Sequence, residues 1–168
     1  MDQCEEIPGV ADEDRLRGAE LLRRIVEDTM AFWEIRNPKR RYAAGVQGLV
    51  WNHETYPSLG VGLAAQFLKA HYGLTAADYW AAVVENHLAG QVRSPLPLED
   101  SANYQCQVPC HRLWYILGTG RLENYFTSGS FERCLEYAIA SHDAAGNEAT
   151  HGDAWATFGS TAAKLFSF

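Results

Sequence analysis

The stretch from Ser58 to Leu88 (SLGVGLAAQFLKAHYGLTAADYWAAVVENHL) decides the fold class of this 168-residue chain. Apolar side chains recur in it at the i, i+3, i+4 spacing of a buried helix face, once before and once after Gly73. That glycine stands where a C′ glycine ends a helix. Thr75, with Asp78 three residues on, resembles the capping box that begins the next helix. Two capped helices joined by so short a link predict an antiparallel αα-hairpin.

The first helix of this hairpin is predicted to begin at Ser58, whose side chain suits an N-cap, after a long connection that ends at Pro57. His87 falls within the apolar stripe of the second helix, which favours a satisfied core histidine over a ligand. The predicted buried stripes are Val61, Ala64, Ala65, Leu68 and Tyr72 in the first helix, and Trp80, Val83, Val84, His87 and Leu88 in the second.

The same periodicity predicts four further helices, with a turn region between Gly118 and Gly129. Asn37-Pro38 ends the first of them, because the residue before a proline disfavours the helical region. Their predicted positions are Asp12 to about Arg36, a fourth helix that has Pro109 in its first turn and ends before Gly118, a fifth from about Ser130, and a sixth capped by Asp153.

These four helices also carry predicted buried stripes. Their members are Leu22, Ile25, Val26, Thr29, Met30 and Trp33; Cys110, Leu113, Trp114 and Leu117; Phe131, Cys134, Leu135, Ala138 and Ile139; and Trp155, Phe158, Ala162 and Leu165. We therefore predict an all-α fold of about six antiparallel helices that form three helical hairpins. We expect one helical domain over residues 1–168, with residues 1–11 flexible.

Composition narrows the class of protein. Apolar residues make up 47% of the chain and aromatic residues 12%, which argues against disorder. The net charge is -7, and the only basic cluster is Lys39-Arg40-Arg41. We therefore expect no nucleic-acid partner.

The N-terminal sequence and the number of cysteines indicate the cellular compartment that we expect for the protein. The chain begins Met1-Asp2-Gln3-Cys4-Glu5-Glu6, which is acidic and lacks the apolar core of a secretory signal. No window approaches the roughly 18 unbroken apolar residues of a membrane helix, and four cysteines in this length do not make a disulfide scaffold. We expect a soluble chain without a membrane partner, cytoplasmic as written, and exported only if it is a fragment of a longer precursor.

Polar and ionisable residues concentrate in the loops that alternating helices bring to one end of the array. The loops between predicted helices one and two, three and four, and five and six share this end. The two loops at the opposite end hold far fewer acid/base groups. Helix capping alone could account for Ser58, for Asp100 or Ser101, and for Asp153, but it does not call for histidines or tyrosines. The candidate site residues are Trp51, Asn52, His53, Glu54, Tyr56, Arg93, Glu99, Asp100, Asn103, Tyr104, Asn147, His151 and Asp153.

The stretch Glu99–Tyr104, leading to Cys110–Tyr115, resembles the (α/α) toroid polysaccharide lyases, in particular the heparinase II/III-like and alginate-lyase-like proteins. The resemblance covers residues 45–160. It extends to Asn52-His53-Glu54, Gly146-Asn147 and Gly152-Asp153. Such toroids have more helical hairpins than three. The resemblance therefore implies a fragment, a truncated paralogue, or a ring completed by a homo-oligomer or by a missing segment.

The resemblance implies β-elimination on uronate-containing polysaccharides or oligosaccharides. The proton beside a uronate carboxylate becomes acidic enough to remove only when the charge of the carboxylate is neutralised. By resemblance, Asn52 or Asn103 binds the carboxylate, His53 is the base, and Tyr104 is the acid toward the leaving oxygen. The other candidate residues bind substrate, with Arg93 in a positive rim.

Three alternatives remain open. Glycoside hydrolysis needs two carboxylates at a defined separation, and the candidates are Glu54, Glu99, Asp100, Glu148 and Asp153. A zinc site would use Cys106, Cys110 and His111, or His53, His151 and Asp153. Neither set has the spacing of a closed four-ligand site, so we expect no metal and no cofactor. The non-enzyme alternative is a helical-repeat interaction module that binds protein on its concave surface.

Overall fold

The computed structural model describes residues 8–36, 52–88, 102–140 and 144. Within these residues the chain forms six α-helices and no strand, which confirms the all-α prediction. No helix in this part of the chain combines the length and the apolar character needed to cross a membrane. The predicted sixth helix lies outside the described residues. The helices are α1 Asp12–Arg36, α2 Asn52–Tyr72, α3 Ala76–Leu88, α4 Ala102–Thr119, α5 Leu122–Thr127 and α6 Ser130–Ala140.

Helix α1 has the predicted bounds. Three carboxylates in its first turn lie next to the positive end of the helix dipole. Val26, Met30 and Trp33 are buried, as predicted, but Ile25 is 53% exposed. Adjacent residues point about 100° apart around a helix, and the core lies on the side of Val26. The prediction that Ile25 is buried is wrong for this reason.

Helix α2 begins six residues earlier than predicted, at Asn52, and continues through Pro57. A proline in the second turn lacks only its own N–H, so the helix loses the one bond to the carbonyl of His53. The prediction that Ser58 caps this helix is therefore wrong. Ser58 lies inside the helix, fully buried, and its Oγ is 2.7 Å from Nδ1 of His87.

The hairpin of α2 and α3 forms as predicted. Gly73 has a φ of 64°, and its N–H donates to the Lys69 carbonyl oxygen at 3.1 Å, which closes α2 with a left-handed cap. Lys69 also forms an ion pair with Asp78 of α3 across the turn. The predicted stripes of both helices are buried, except that Tyr72 is half-buried.

Helix α4 also continues through a proline. It begins at Ala102 instead of near Pro109, so the prediction that Pro109 lies in the first turn is wrong. At the other end, Gly118 lies inside the helix, and Gly120 with a φ of 71° is the capping residue. The N–H groups of Gly120 and Arg121 make the two bonds of a Schellman motif, at 3.3 and 3.0 Å.

The buried surface of α4 is wider than one stripe. Tyr115 belongs to the main core with α2 and α3, whereas Leu113 and Ile116 pack against α6. Because α4 has neighbours on two sides, its buried face is rotated from the predicted one. Trp114 and Leu117 are exposed, and their predicted burial is wrong.

The segment between α4 and α6 contains the short helix α5 where a turn region was expected. Helix α6 begins at Ser130, as predicted. Phe131 packs on the small cluster of α4, but Ile139 is exposed, so its predicted place in the buried stripe is wrong. The side chains of Cys134 and Ala138 are outside what the structure describes.

Side-chain contacts establish the directions of α2 and α4. Thr55 bonds His111 in the middle of α4, and Leu63 meets Gly118 near its end. The residue numbers of the contacting positions increase in the same direction along both helices, so α2 and α4 are parallel. Their close approach depends on glycine, because a Cβ at Gly62 would lie 2.5 Å from a ring carbon on α4.

The contacts of α1 and α3 complete the arrangement. Trp33, near the end of α1, packs on His87 near the end of α3, and the Tyr72 hydroxyl at the end of α2 donates to the Arg15 carbonyl near the start of α1. Both α1 and α3 are therefore antiparallel to α2. The starts of α2 and α4 share one end of the bundle, in agreement with the predicted alternation. We call it the histidine end, because it contains His87 and His111.

Candidate functional site

Two hydroxyl groups of α2 enter the interior at the histidine end, one helical turn apart. Thr55 and Ser58 are both 0% exposed. Ser58 Oγ lies 2.7 Å from Nδ1 of His87 on α3. Trp33 of α1 places its ring edge-on to this imidazole, with the ring centroids 4.7 Å apart. The Ser58–His87 pair therefore joins three helices in the core.

The second pair links α2 to α4. Thr55 Oγ1 lies 2.9 Å from Nδ1 of His111. Two aromatic rings flank this imidazole: the ring centroid of Tyr56 is 5.1 Å away and that of Trp114 is 6.1 Å away. Tyr56 is 63% exposed, and Trp114 is exposed as well. The Thr55–His111 pair thus lies directly beneath an aromatic surface.

Burial lowers the pKa of both imidazoles, His87 and His111, from 6.5 to about 4. Removal from water disfavours the charged form of a base. Both side chains are therefore neutral at neutral pH, with one ring nitrogen that donates and one that accepts. Each hydroxyl–imidazole bond at this end joins two uncharged groups.

A serine hydroxyl 2.7 Å from an imidazole has the spacing of a nucleophile and its base. Ser58 is nevertheless fully buried among α1, α2 and α3, so a substrate has no access to its Oγ in this structure. The Ser58–His87 pair fastens the hairpin together and does not form a reaction centre. The prediction that His87 lies in the core is confirmed, because the residue is buried and its Nδ1 bonds Ser58 Oγ.

The residues predicted to carry the reaction lie where α2 and α4 begin. The backbones of Asn52 and His53 form the first turn of α2, and those of Asn103 and Tyr104 the first turn of α4. Glu54 follows directly in α2. The structure describes the backbones of these five residues and not their side chains. Since α2 and α4 run parallel, all five belong to the histidine end.

The two helix starts are staggered along the bundle. His53 precedes Thr55 by two residues and Tyr104 precedes His111 by seven. At 1.5 Å per residue, a difference of five residues offsets His53 and Tyr104 by about 7.5 Å along the bundle. The first two turns of α4 extend past the start of α2 and leave a step between the helices.

The remaining predictions divide into one described residue and seven others. Tyr56 is exposed at the histidine end, at the edge of this step. The other predicted site residues lie outside the described residues: Trp51, Arg93, Glu99, Asp100, Asn147, His151 and Asp153. Their predicted roles stay predictions.

The sequence did not single out Thr55, and it offered His111 only as a possible zinc ligand. A signal was present in α2, because Thr55 and Ser58 have the i, i+3 spacing that puts two hydroxyls on one helix face. The surrounding apolar pattern shows that this face is buried. Their partners are 56 and 29 residues further along the chain, and no local pattern identifies them.

Both predicted zinc sets include side chains that the structure does not describe, so they stay predictions. Among the side chains that it does describe, no three His, Cys, Asp or Glu converge as metal ligands would. Cys110 is buried, and the adjacent His111 is bonded to Thr55. The side chain of Cys106 is outside what the structure describes.

No family model, no curated protein and no solved structure matches this chain. The class of protein therefore rests on the structure itself. The described chain is an all-α array in which α2 and α3 form a hairpin and α4 lies parallel to α2.

Proposed function

We propose that the histidine end is the site of a carbohydrate-active protein that cleaves uronate-containing glycans by lyase-like β-elimination. One observation supports it above the others: α2 and α4 are parallel, so Asn52-His53-Glu54 and Asn103-Tyr104 begin their helices at the same end. Residues that are about 50 positions apart in sequence are thereby brought to one end of the bundle. They include the asparagine, histidine and tyrosine residues that this reaction needs.

Each of these groups has a defined task in the proposed reaction. An amide of Asn52 or Asn103 binds the uronate carboxylate and stabilises the charge that develops on it. His53 removes the proton from the adjacent carbon, a carbon–carbon double bond forms, and the bond to the leaving oxygen breaks. Tyr104 gives its proton to that oxygen.

The stagger of the helices suits groups that act from opposite sides of a substrate. An offset of about 7.5 Å along the bundle puts the backbones of His53 and Tyr104 at different levels. Base and acid would then contact different atoms of one sugar unit. The exposed rings of Tyr56 and Trp114 offer apolar faces for neighbouring sugars.

A second candidate function follows from a different surface. Leu21 and Ile25 of α1 are more than half exposed, and such apolar side chains on a regular helix favour a protein-binding module. An interaction module of this kind would lose binding when α1 changes. It would be indifferent to His53 and Tyr104.

The first experiment incubates the full chain with uronate and neutral polysaccharides and follows the absorbance of unsaturated uronate together with new reducing ends. We expect both signals to rise on a uronate substrate. His53→Ala and Tyr104→Phe should each lower kcat by about 10²-fold or more, as expected for loss of a general base or acid. Helix content by circular dichroism should not change.

Two matched variants control for residue type. His71→Ala removes an exposed imidazole at the opposite end of α2, and Tyr79→Phe removes an exposed phenol from α3. Both should retain full activity. Reducing ends without absorbance would show hydrolysis and contradict elimination. Silence on every substrate would contradict the enzymatic proposal and leave the binding module.

A further inference from the structure

An open groove follows the contact between the parallel helices α2 and α4. Its lining residues, which we call the α2–α4 groove, are Tyr56, Gly60 and Leu63 on α2, and Trp114 and Gly118 on α4. Tyr56 is 63% exposed and Trp114 is 42% exposed, and their rings flank the buried imidazole of His111. A Cβ at Gly60 would meet nothing within 4 Å. The groove therefore has an exposed aromatic ring on each wall and open space beside them.

Both walls lie on the side of the α2–α4 contact that faces away from α3. Tyr115 occupies the side of α4 toward α3, because its hydroxyl donates to Glu85 at 2.8 Å. Trp114 lies about 100° from Tyr115 around α4. On α2 the position that meets Tyr115 is Gly62, and Tyr56 lies about 120° from it. The two exposed rings therefore share one surface.

The groove leads away from the helix starts that carry the proposed reaction. Asn52 precedes Tyr56 by four residues, and Asn103 precedes Trp114 by eleven. Both spacings return a helix to the same side within about 40°. The backbone positions of the two asparagines therefore stand at the head of the two walls.

Charge indicates which kind of sugar suits this groove. All five lining residues are uncharged. Arg112 precedes Trp114 by two residues, so it lies about 160° away around α4. His111, beneath the two rings, is neutral at neutral pH because burial lowers its pKa to about 4. A carboxylate over the rings would leave water without gaining an opposite charge, which is unfavourable. An uncharged sugar can place its apolar face on the rings and keep its hydroxyls in water.

We propose that the α2–α4 groove binds an uncharged sugar next to the uronate at the histidine end. The substrate is then a glycan in which uronates have neutral neighbours, such as an alternating copolymer, and not a chain of uronates alone. This inference rests on the proposed function for the position of the uronate. It adds the identity of the neighbouring unit and the residues that select it, Tyr56 and Trp114.

The test compares the binding of two classes of oligosaccharide by isothermal titration calorimetry at constant ionic strength. The full chain carries His53→Ala so that cleavage does not contribute heat. Hyaluronan and unsulfated chondroitin oligosaccharides alternate uronate with a neutral sugar, whereas polygalacturonate and alginate oligosaccharides contain uronate only. The alternating class should bind about 10-fold more tightly. Trp114→Ala should lower its affinity by about 10-fold, through loss of the stacked ring, and leave the affinity for polyuronates unchanged.

Three further variants separate a lost contact from a disturbed fold. Trp114→Phe keeps an aromatic face and should retain most of the affinity. Tyr79→Ala removes a ring that is 55% exposed on α3, outside the groove, and should change nothing. Gly60→Leu fills the groove from the opposite wall without meeting the core, so it should weaken binding of the alternating class. Helix content by circular dichroism should be the same in all variants.

The possible results distinguish this inference from the proposed function. Equal affinity for both classes, equal losses for both in Trp114→Ala, or binding of neither class overturns the inference. If the chain with His53 intact produces unsaturated uronate from polyuronates regardless of Trp114, the proposed function is upheld and the inference is overturned. Tight, Trp114-dependent binding of the alternating class without unsaturated uronate supports the groove and contradicts the proposed elimination.

Discussion

The Ser58–His87 pair and the Thr55–His111 pair have the same chemistry and opposite surroundings. Both join a hydroxyl of α2 to Nδ1 of a neutral imidazole on a neighbouring helix. The first is covered by the buried ring of Trp33, and the second by the exposed ring of Tyr56. One turn of α2 therefore separates a bond inside the core from a bond at its edge.

The difference distinguishes an aromatic ring that stabilises the fold from one that is available to bind a ligand. An aromatic ring that covers a buried bond from inside the core contributes to stability by its burial. An exposed ring in the same geometric position contributes little to stability and is available to a ligand. Trp33 belongs to the first kind and Tyr56 to the second, although both lie about 5 Å from an imidazole.

The largest expected effect tests this contrast directly. Trp33→Ala removes a buried tryptophan and should lower the free energy of unfolding by about 4 kcal/mol. Tyr56→Ala should change it by less than about 0.5 kcal/mol, because most of the ring is already in water. Urea unfolding followed by circular dichroism measures both. Equal losses would mean that Tyr56 is part of the core.

The contrast was only partly predictable from the sequence. The stripes of α2 and α3 are periodic and identify their buried residues, including His87, and Gly73 marks the end of α2. The sequence did not show that α2 runs through Pro57, because the helix tolerates a lost bond there only when tertiary packing compensates for it. Ser58 suits an N-cap as well as a core bond, and its partner is 29 residues away.

Acid should weaken both pairs at once. The unfolded chain binds protons at His87 and His111 as the pH falls below 6.5, whereas the folded chain binds them only near pH 4. The free energy of unfolding should therefore decrease as the pH is lowered from 6.5 to 4, and it should be largest above pH 6.5. The expected fall is about 3 kcal/mol for each histidine.

Variants assign this fall to the two pairs. Urea titrations at several pH values should show a shallower dependence for His87→Gln and for His111→Gln, with similar changes in the two because their pKa values are lowered alike. His71→Gln, on the exposed end of α2, should leave the dependence as it is in the unmodified chain. A dependence that neither His87→Gln nor His111→Gln changes would contradict the neutral, buried state of the imidazoles.

Gly62 allows both α3 and α4 to pack closely against α2, and the two hydroxyl–imidazole pairs depend on this close packing. A Cβ at this position would lie 2.5 Å from Cε2 of Tyr115 and 2.9 Å from Cγ1 of Val84. The tyrosine ring has little freedom to move, because its hydroxyl donates to Glu85 at 2.8 Å. Gly62→Ala should therefore destabilise the fold by about 2 kcal/mol, despite the higher helix propensity of alanine.

Gly60 supplies the matched control on the same helix. A Cβ there meets nothing within 4 Å, so Gly60→Ala should stabilise the chain by up to about 1 kcal/mol. The midpoint of urea unfolding distinguishes the two variants by the sign of its shift. A stabilising Gly62→Ala would show that the helices of this bundle separate easily.

The sequence predicts which end of the helical array carries the candidate site, but it does not predict the contacts within the site. Alternation of helices puts the starts of α2 and α4 at one end, and chain order alone gives this. The stagger between His53 and Tyr104 depends on the register of the two helices, which Gly62 and Gly118 determine through close packing. No local pattern reports that register, since it reflects the shapes of residues about 50 positions apart.

The smallest expected effect separates the two pairs themselves. Ser58→Ala and Thr55→Val each remove a hydroxyl with little change in shape and leave one ring nitrogen without its bond. The cost of an unsatisfied buried group is about 1–3 kcal/mol. His111 lies beneath exposed rings, so water can replace the Thr55 hydroxyl after a small movement of Tyr56, whereas His87 is enclosed by Trp33. Ser58→Ala should therefore lower the free energy of unfolding by about 2 kcal/mol and Thr55→Val by about 1 kcal/mol, as measured by urea unfolding.

Equal losses, or a larger loss for Thr55→Val, would show that the aromatic rings over His111 exclude water as completely as the core does. Tyr56 would then be unsuited to move aside for a ligand.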